Sequence, residues 1–354
     1  MKLAVREALK GSGNVSPNPL VGAVVVKNGN IIGKGYHKIY GGPHAEINAL
    51  DNCTESPAGA DLYVNLEPCA HHGKTSPCTQ RIIAERISNV YIGSPDPSDH
   101  CCGKGVRELR DAKIQVHNDI LRSECDMVNA VFFHCLKNKT PYVVLKAAVS
   151  LDGYMATVKN DSKWISCEKS RKEAHRLRSI YDSVLVGKNT VLNDDPELTV
   201  RFVKGKNPVR IATDETLSLD GHHRIFNRLA PTVIITGKNV PHDKETFLKG
   251  KGIKIINADI HNGLLDLKTA LKELYREGIM SVMVEGGGQI HSYMLKNRMA
   301  QRMALFLSPI LIGGGIKLFD GKTDLIKESI RLETVSKRNF DEDIFLDLIV
   351  RYSS

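Results

Sequence analysis

The feature that most constrains the fold of this sequence is a set of four residues that can serve one metal ion only if separate segments meet around it: His44, Glu46, Cys69 and Cys78. The first two stand in a His-Ala-Glu triplet, and each cysteine follows a proline. One neutral imidazole and two thiolates form a three-ligand zinc set whose fourth position is open to water. A glutamate beside them supplies the proton carrier that a metal-activated water needs. We therefore interpret His44, Cys69 and Cys78 as zinc ligands and Glu46 as a catalytic residue.

The His-Ala-Glu triplet is expected at the start of a helix. In the middle of a helix, side chains two positions apart point in different directions, so His44 and Glu46 reach one metal only from the first turn. Pro43 favours a helix start at this point. Pro77 likewise precedes a second helix at Cys78, and a helix N-terminus favours a thiolate. The sequence thus predicts two helix N-termini directed at one ion.

A purely structural zinc site is the alternative, and it requires a fourth protein ligand. His71 or His72, in the segment between the two cysteines, is a candidate for that ligand. The presence of Glu46 argues for catalysis instead. The other cysteines are too scattered for a disulfide framework in a chain of 354 residues, and we expect them to be reduced thiols.

The first part of the chain alternates helices and strands. Asn28-Gly29 between two apolar runs is a hairpin signal. Periodicity and capping residues predict helices at 2–10, 44–50 and 78–86, and strands at 21–26, 31–36, 62–66, 90–93 and 114–117. This order indicates a three-layer α/β domain.

The composition turns polar at 137–141, and we place the domain boundary there, with domains at 1–140 and 141–354. The second domain is also α/β, with predicted strands at 142–147, 183–187, 208–213, 231–236, 253–256 and 281–285. Glycines at 286–288 follow the last of these strands and allow backbone N–H groups to approach a phosphate. The fingerprint G-x-G-x-x-G does not occur in the sequence, which disfavours a Rossmann site.

The charge distribution favours small phosphorylated ligands over nucleic acid. The formal net charge is +9; 16 basic and 14 acidic residues precede residue 141, and 33 and 26 follow. The basic excess therefore lies away from the zinc motif, which lacks the electrostatic footprint of a polyanion-binding site. An apolar run of membrane-spanning length and a signal-peptide core are both missing from the sequence. We expect a cytoplasmic protein without a membrane span.

The metal motif is similar to the signature of zinc nucleobase deaminases, except that eight residues separate the two cysteines. Over essentially its whole length, the sequence resembles the bifunctional deaminase–reductases of riboflavin biosynthesis. The long loop between the cysteines distinguishes that family from tRNA adenosine deaminases and cytidine deaminases. The motifs that carry the resemblance are 17–26, 35–37, 44–46 and 66–78 in the first half, and 145–153, 162–166, 186–201 and 284–288 in the second half.

The resemblance implies a three-layer cytidine-deaminase-like domain followed by a dihydrofolate-reductase-like α/β domain. It implies zinc-dependent deamination of 2,5-diamino-6-ribosylamino-4(3H)-pyrimidinone 5′-phosphate. NADPH would then reduce the ribosyl group of the aminouracil product to ribityl. The implied cofactors are Zn²⁺ and NADPH, and relatives also suggest a homo-oligomer.

The resemblance also assigns binding residues. The substrate positions of the deaminase are Asn18, His37 and Lys74. The substrate positions of the reductase are Ser162, Arg178, Leu198, Arg201 and Glu285. The cofactor positions are Val149, Trp164, Thr190, Asp194, Glu215, Gly287, Gly288, Gln289, Ile290, His291, Ser292 and Tyr293. The two arginines suit a ribose 5-phosphate, with a surface salt bridge as the alternative, and core packing is the alternative for Trp164.

The sequence departs from the family pattern at three positions. Ser98 stands where asparagine is usual, Ser76 replaces a proline, and Glu215 stands where relatives often carry serine near the cofactor. An acid at 215 weakens the preference for a 2′-phosphate, so the choice between NADPH and NADH stays open. The rival functions are a nucleic-acid-editing deaminase, which requires salt-dependent RNA affinity, and a zinc-stabilised binding module, which requires a fourth protein ligand.

Overall fold

The computed structural model describes residues 1–71, 76–98 and 101–353. They form two compact units, Met1–Lys139 and Thr140–Ser354, each with its own sheet and hydrophobic core. Among the described residues, none of the helices has the length and apolar character that a bilayer crossing requires.

The first unit contains six helices and five strands in its described part. The helices are α1 Lys2–Leu9, α2 Ala45–Asp51, α3 Cys78–Ala84, α4 Lys104–Asp111, α5 Arg122–Val128 and α6 Ala130–Asn138. The strands are β1 Gly22–Lys27, β2 Asn30–Tyr36, β3 Asp61–Leu66, β4 Asn89–Ser94 and β5 Gln115–His117. Buried apolar side chains of strands and helices form its core, including Ala45, Ala49, Leu62, Val64, Ile82 and Val90.

The first sheet has the strand order β2-β1-β3-β4-β5. The predicted β1–β2 hairpin turns at Asn28 and Gly29, whose φ angles are 50° and 78°, a conformation that this residue pair adopts readily. Strand β3 is antiparallel to β1 but parallel to β4. The carboxyl ends of β3 and β4 therefore share one edge of the sheet, and the segment with Cys69 begins at that edge.

The second unit is larger. Its helices are α7 Glu168–Ile180, α8 Lys188–Asp194, α9 His242–Gly250, α10 Leu267–Arg276 and α11 Gly288–Lys296. Its strands are β6 Tyr142–Ser150, β7 Tyr154–Thr157, β8 Ser183–Gly187, β9 Val209–Thr213, β10 Thr232–Gly237, β11 Lys254–Ala258, β12 Ile260–His261, β13 Leu264–Leu265, β14 Ser281–Val284, β15 Arg302–Ser308, β16 Gly315–Lys317, β17 Arg331–Phe340 and β18 Asp343–Arg351.

Nine of these strands form one sheet in the order β11-β10-β9-β8-β14-β6-β15-β18-β17. The neighbours from β11 to β15 are parallel, whereas β18 is antiparallel to both β15 and β17. The central strands are rich in fully buried apolar residues, as parallel strands covered on both faces require. Strand β14 lies between β8 and β6, which both precede it in the chain. Ligands of open α/β sheets bind outside the carboxyl ends of strands where the strand order reverses in this way.

The structure differs from the predicted elements in a few places. The helix predicted from residue 44 begins at Ala45, because His44 is its N-cap residue with an extended backbone. Helices α5 and α6 and the antiparallel strands β15, β17 and β18 occupy regions for which the sequence pattern predicts no element.

Candidate active sites

Side chains of three segments converge at the first candidate site, in the N-terminal unit. The ligand atoms of His44, Cys69 and Cys78 all lie within 4.8 Å of one another. His44 Nδ1 is 3.2 Å from Cys78 Sγ and 3.4 Å from Cys69 Sγ. Tetrahedral zinc with bonds of about 2.0–2.3 Å places neighbouring ligand atoms about 3.5 Å apart. The three side chains therefore have the spacing of a zinc site, and the described residues contain no second such group.

Two helix starts and a strand end position these side chains. His44 is the N-cap residue of α2, and Cys78 is the first residue of α3, directly after Pro77. Cys69 lies shortly beyond Leu66, where β3 ends. The backbone N–H of Cys78 donates to Cys69 Sγ at 3.4 Å and so joins the helix start to the strand end.

The protonation of the cluster suits metal binding. The hydrogen bond from the Cys78 thiol lowers the pKa of Cys69 to about 4, and the same contact raises the pKa of Cys78 well above its usual value. The hydrogen bond with Cys69 raises the pKa of His44 to about 9. The two cysteines therefore share one thiolate, and the remaining thiol and the His44 imidazolium release protons when a metal binds.

Glu46 lies in the first turn of α2 and is only 3% exposed. Its Oε2 atom has no hydrogen-bond partner among the described residues. Burial raises the pKa of this carboxyl to about 7. A buried polar atom without a partner costs about 1–3 kcal/mol, so a ligand that supplies the partner is favoured at this place. The three donors and this oxygen together fit a zinc ion that carries a water molecule.

Two predicted substrate residues lie next to His44. The His37 ring is buried and meets the His44 ring edge-on, with centroids 5.6 Å apart. His37 Nδ1 donates to Pro43 O at 3.0 Å, so its Nε2 accepts from Asn18 Nδ2 at 3.1 Å. Burial lowers the pKa of His37, which keeps the ring neutral. Asn18 and His37 are thus held in one orientation beside the metal cluster.

Part of the segment between the two cysteines lies outside the described residues. This applies to Lys74, a predicted substrate residue, and to His72, one candidate for a fourth ligand. The other candidate, His71, is exposed, and its Nδ1 lies 3.8 Å from Cys101 Sγ. His71 does not belong to the three-residue cluster. The described residues therefore offer the metal three protein ligands.

Glu67 is a buried residue near this site that lies within the motif 66–78 but has no role assigned from the sequence. At distances of 3.1–3.3 Å, its carboxylate accepts the backbone N–H groups of Asp96, Gly103, Gly105 and Val106. Glu67 directly precedes Pro68 and Cys69, so its carboxylate ties the start of α4 to the segment that carries a metal ligand. The signal in the sequence is a carboxylate at the end of an apolar strand.

A buried ion pair marks the second candidate site, in the C-terminal unit. Arg178 Nε and Nη2 donate to the two carboxylate oxygens of Glu285 at 2.5 and 2.8 Å. Burial raises the pKa of Glu285, but the charge and hydrogen bonds of Arg178 outweigh burial and leave this pKa below its usual value. The structure adds Lys146, whose Nζ is 3.9 Å from Glu285 and whose pKa is lowered by burial. In the sequence, Lys146 stands out only as a single charge within an apolar strand and as a member of the motif 145–153, to which no role was assigned at this position.

The loop after α8 contacts this ion pair. Arg178 Nη1 donates to Thr199 O at 3.1 Å. The preceding residue, Leu198, is buried with φ at 54°. A bulky side chain in the left-handed region stores backbone strain, which is common at ligand sites.

Arg201 lies further along the same loop. Its backbone N–H donates to His175 Nδ1 at 3.1 Å, and its guanidinium pairs with Glu197 at 2.8 Å. Burial, together with the charges of Arg178 and Arg201, lowers the pKa of His175 to about 4, so this ring is a neutral acceptor. The Arg201 side chain is 44% exposed. The two arginines predicted to bind the phosphate therefore differ in exposure. Arg201 faces solvent, whereas Arg178 is buried in its ion pair with Glu285.

Ser162 and Trp164 lie in the segment before α7. Trp164 is 69% exposed, so it is not a core residue, and the Arg171 guanidinium lies 4.6 Å from its ring centroid. Ser162 is half-buried. Lys163, between them, pairs with Asp194 at 3.7 Å and so connects this segment to the end of α8.

The glycine-rich turn before α11 is closely packed. A Cβ on Gly288 would lie 2.2 Å from Lys317 O, and a Cβ on Gly286 would lie 2.7 Å from Thr190 Oγ1. Gly287 has φ at 78°. The turn therefore requires glycine, and it touches α8 through Thr190.

The remaining predicted cofactor residues surround this turn. His291 is buried, with Nδ1 3.0 Å from Gly287 O and Nε2 3.2 Å from Lys146 O, so its side chain braces the turn from inside. Val149 is buried in β6. Glu215 follows β9 and lies 3.5 Å from Lys188. The other positions, all on α11, are Gln289, Ile290, Ser292 and Tyr293.

Comparison with known proteins identifies both units. Residues 1–94 match the family model of the cytidine and deoxycytidylate deaminase zinc-binding region, and residues 141–346 match that of the RibD C-terminal domain. The riboflavin biosynthesis protein RibD of Aquifex aeolicus is 43% identical over 348 residues, which cover 98% of this chain and 96% of that protein. The RibD protein of Escherichia coli is 33% identical over 88% of each chain.

Solved structures agree with these matches. A diaminohydroxyphosphoribosylaminopyrimidine deaminase/5-amino-6-(5-phosphoribosylamino)uracil reductase from Thermotoga maritima is 37% identical and has a TM-score of 0.88, covering 99% of this chain and 97% of that one. RibD from Acinetobacter baumannii is 30% identical with a TM-score of 0.87 over the same shares. The predicted pair of folds, cytidine-deaminase-like and then dihydrofolate-reductase-like, is thereby confirmed. The chain belongs to the RibD family, the bifunctional deaminase–reductases of riboflavin biosynthesis.

Proposed function

We propose that His44, Cys69 and Cys78 hold one zinc ion and that Glu46 carries the proton in deamination of 2,5-diamino-6-ribosylamino-4(3H)-pyrimidinone 5′-phosphate. Zinc, when bound, supplies a Lewis acid that makes water nucleophilic near neutral pH. Glu46 accepts one proton of the attacking water and delivers it to the ring nitrogen. It then carries the second proton, from the hydroxyl group formed at the attacked carbon, to the amino group, which leaves as ammonia. Its buried Oε2, which is without a partner among the described residues, supports this assignment.

Asn18 and His37, which lie beside the zinc ligand His44, are proposed to recognise the pyrimidine. A carboxamide offers both a donor and an acceptor to a base edge, and the hydrogen bond with His37 fixes the Asn18 side chain for that purpose. Lys74, in the loop between the cysteine ligands, is proposed to bind the substrate phosphate as a point charge.

The second site is proposed to reduce the aminouracil product. Arg201 binds the ribose 5-phosphate, because its guanidinium is half exposed and planar. Arg178 keeps Glu285 ionised and in one position, where the carboxylate can accept hydrogen bonds from the substrate. Ser162 and Leu198 complete the substrate contacts.

The cofactor is proposed to lie along the carboxyl edge of the second sheet. NADPH supplies the hydride that reduces the ribosyl C1′. Its pyrophosphate suits the turn of Gly287 and Gly288 at the start of α11, next to Thr190. The proposed contacts beyond this turn are Val149, Trp164, Asp194, Glu215 and residues 289–293.

The observation that carries the proposal is the convergence of three zinc donors on one point beside a buried glutamate. A coupled assay tests it with zinc-loaded protein and the diaminopyrimidinone substrate. We expect ammonia release without NADPH, NADPH oxidation only after deamination, and loss of ammonia release with a chelator. Protein that oxidises NADPH with supplied aminouracil but releases no ammonia would contradict the deaminase half of the proposal.

We further propose small-molecule substrates, a cytoplasmic location and a homo-oligomer for this enzyme. Eight cysteines in 354 residues, two of them beside His44 as zinc donors, do not have the density of a disulfide scaffold, which supports a reducing compartment. Binding of RNA that weakens with salt would favour the nucleic-acid-editing alternative. Light scattering of the purified chain tests the oligomer.

Arg201→Ala is expected to impair reduction much more than deamination. A hydrogen bond to a charged group is worth about 1.5–3 kcal/mol, so the reductase KM should rise about tenfold to a hundredfold. The penalty should shrink with a dephosphorylated substrate, which has no phosphate for the arginine. Steady-state kinetics with both substrates measures this difference.

Arg224→Ala is the matched control, because Arg224 pairs with the same Glu197 at 2.7 Å and is also exposed. This variant should leave the reductase KM close to that of the native enzyme. Equal penalties for Arg201→Ala with both substrates would show that Arg201 supports the loop or touches another part of the ligand.

A further inference from the structure

The carboxyl ends of β8 and β9 place a lysine between two carboxylates, beside the proposed cofactor site. Strands β8 and β9 are parallel neighbours, and Gly187 pairs with Thr213, so the residues that follow these two strands lie at the same edge of the sheet. Lys188 Nζ is 3.5 Å from Glu215 Oε2 and 3.7 Å from Asp214 Oδ1.

The carboxylates of Asp214 and Glu215 differ in burial and in the number of contacts that hold them. Asp214 is fully buried and accepts hydrogen bonds from the Leu219 N–H at 2.8 Å and the Ser218 hydroxyl at 3.0 Å. The Glu215 side chain is 31% exposed and contacts Lys188. Asp214 is therefore a fixed part of the loop, whereas Glu215 can reach a ligand. One lysine also cannot neutralise two carboxylates, so this cluster keeps a negative charge.

The strand order places the cluster on one particular side of the glycine-rich turn. Strand β14 leads into Glu285 and lies between β6, which carries Lys146, and β8. Lys146, which contacts Glu285, is thus on the β6 side of the turn, and Lys188 and Glu215 are on the β8–β9 side. A dinucleotide with its pyrophosphate at the turn and its nicotinamide towards Glu285 has its adenosine over β8 and β9.

We propose that Lys188 and Glu215 set the choice between a 2′-phosphate and a 2′-hydroxyl on the adenosine ribose, and that Glu215 makes this reductase accept NADH as well as NADPH. The inference rests on the proposed reductase site. A carboxylate accepts a hydrogen bond from a ribose hydroxyl but repels a phosphate, whereas a lysine attracts a phosphate as a point charge. Lys188 has to give up part of its contact with Glu215 to bind a phosphate.

Calorimetric titration of NADP⁺ and NAD⁺ tests this without turnover. For the native enzyme we expect dissociation constants within about tenfold of each other. Glu215→Gln should strengthen NADP⁺ binding by roughly tenfold and leave NAD⁺ binding unchanged or weaker. Lys188→Met should weaken NADP⁺ binding by roughly tenfold or more, with a smaller effect on NAD⁺. Adenosine 2′,5′-bisphosphate and AMP, which lack the nicotinamide, should show the same differences.

Lys254→Met is the matched control. Lys254 is the first residue of β11, so it lies at the amino ends of the parallel strands, away from the carboxyl ends that carry Lys188 and Glu215, and it pairs with Glu277. It removes the same charge and should leave the ratio of the two dissociation constants at its native value. If Glu215→Gln and Lys188→Met both bind the two dinucleotides with the native ratio of dissociation constants, the inference is wrong, while the proposed reductase site stands. A native enzyme that binds neither dinucleotide would overturn the proposed reductase site and the inference with it.

Discussion

Glu46→Gln is expected to abolish deamination while zinc stays bound. The substitution keeps the size of the side chain but removes its capacity to carry a proton, and the three metal ligands are untouched. Positioned general acid–base groups contribute on the order of 10²- to 10⁴-fold to rate, so ammonia release should fall by about that factor. Metal analysis of the purified variant and an ammonia assay measure the two quantities.

Glu7→Gln is the control for this variant. Glu7 is also buried, but it lies on α1 and pairs with Lys10. Its substitution should leave ammonia release near the native rate. Loss of zinc from Glu46→Gln would show that Glu46 is a metal ligand, and its assignment as proton carrier would then be wrong.

Replacement of either thiolate, as Cys69→Ser or Cys78→Ser, is expected to remove zinc and deamination together. Each variant leaves two of the three ligands, and a serine hydroxyl is a much weaker zinc ligand than a thiolate. Reduction of supplied aminouracil by NADPH should persist, because the reductase residues belong to the other compact unit. Zinc content, ammonia release and NADPH oxidation are measured on the same preparation.

Cys53→Ser provides the comparison, since Cys53 is a half-buried thiol of the same unit outside the metal cluster. It should retain zinc and both activities. A folded Cys69→Ser protein that has lost reduction as well would mean that the two activities depend on each other.

The grouping of His44, Cys69 and Cys78 could be predicted because the sequence features that indicate it lie next to these residues. Pro43 and Pro77 precede the two helix starts, and the spacing of the His-Ala-Glu triplet requires a helix N-terminus. The contacts of Glu67 were not predictable in this way. Its partners begin at Asp96 and continue into α4, and nothing in the local sequence shows which N–H groups a carboxylate will meet.

The reductase site also contains contacts between distant residues that the local sequence does not reveal. The resemblance assigns Arg178 and Glu285 to the substrate separately, and only the structure shows that these two residues, 107 positions apart in the chain, form one ion pair. Lys146 looks like an ordinary charge within a strand until the sheet places it beside that pair. Strand β17 is exposed along most of its length, so it lacks the alternation by which strands are recognised.

The central position of β14 has a consequence for folding. It pairs Ser281 with Tyr142 and Val282 with Ser183, so the middle of the sheet closes only after most of the second unit has been synthesised. Parallel sheets with such distant pairings fold slowly, because loop closure costs entropy before the contacts compensate for it. Until β14 arrives, β8 has one unpaired edge and β6 has two, because the other neighbour of β6 is β15, which follows β14 in the chain; another nascent chain can bind these edges. Aggregation during synthesis is therefore a hazard for this half of the enzyme. It ends for β8 when β14 inserts, and for β6 only when β15 has paired as well.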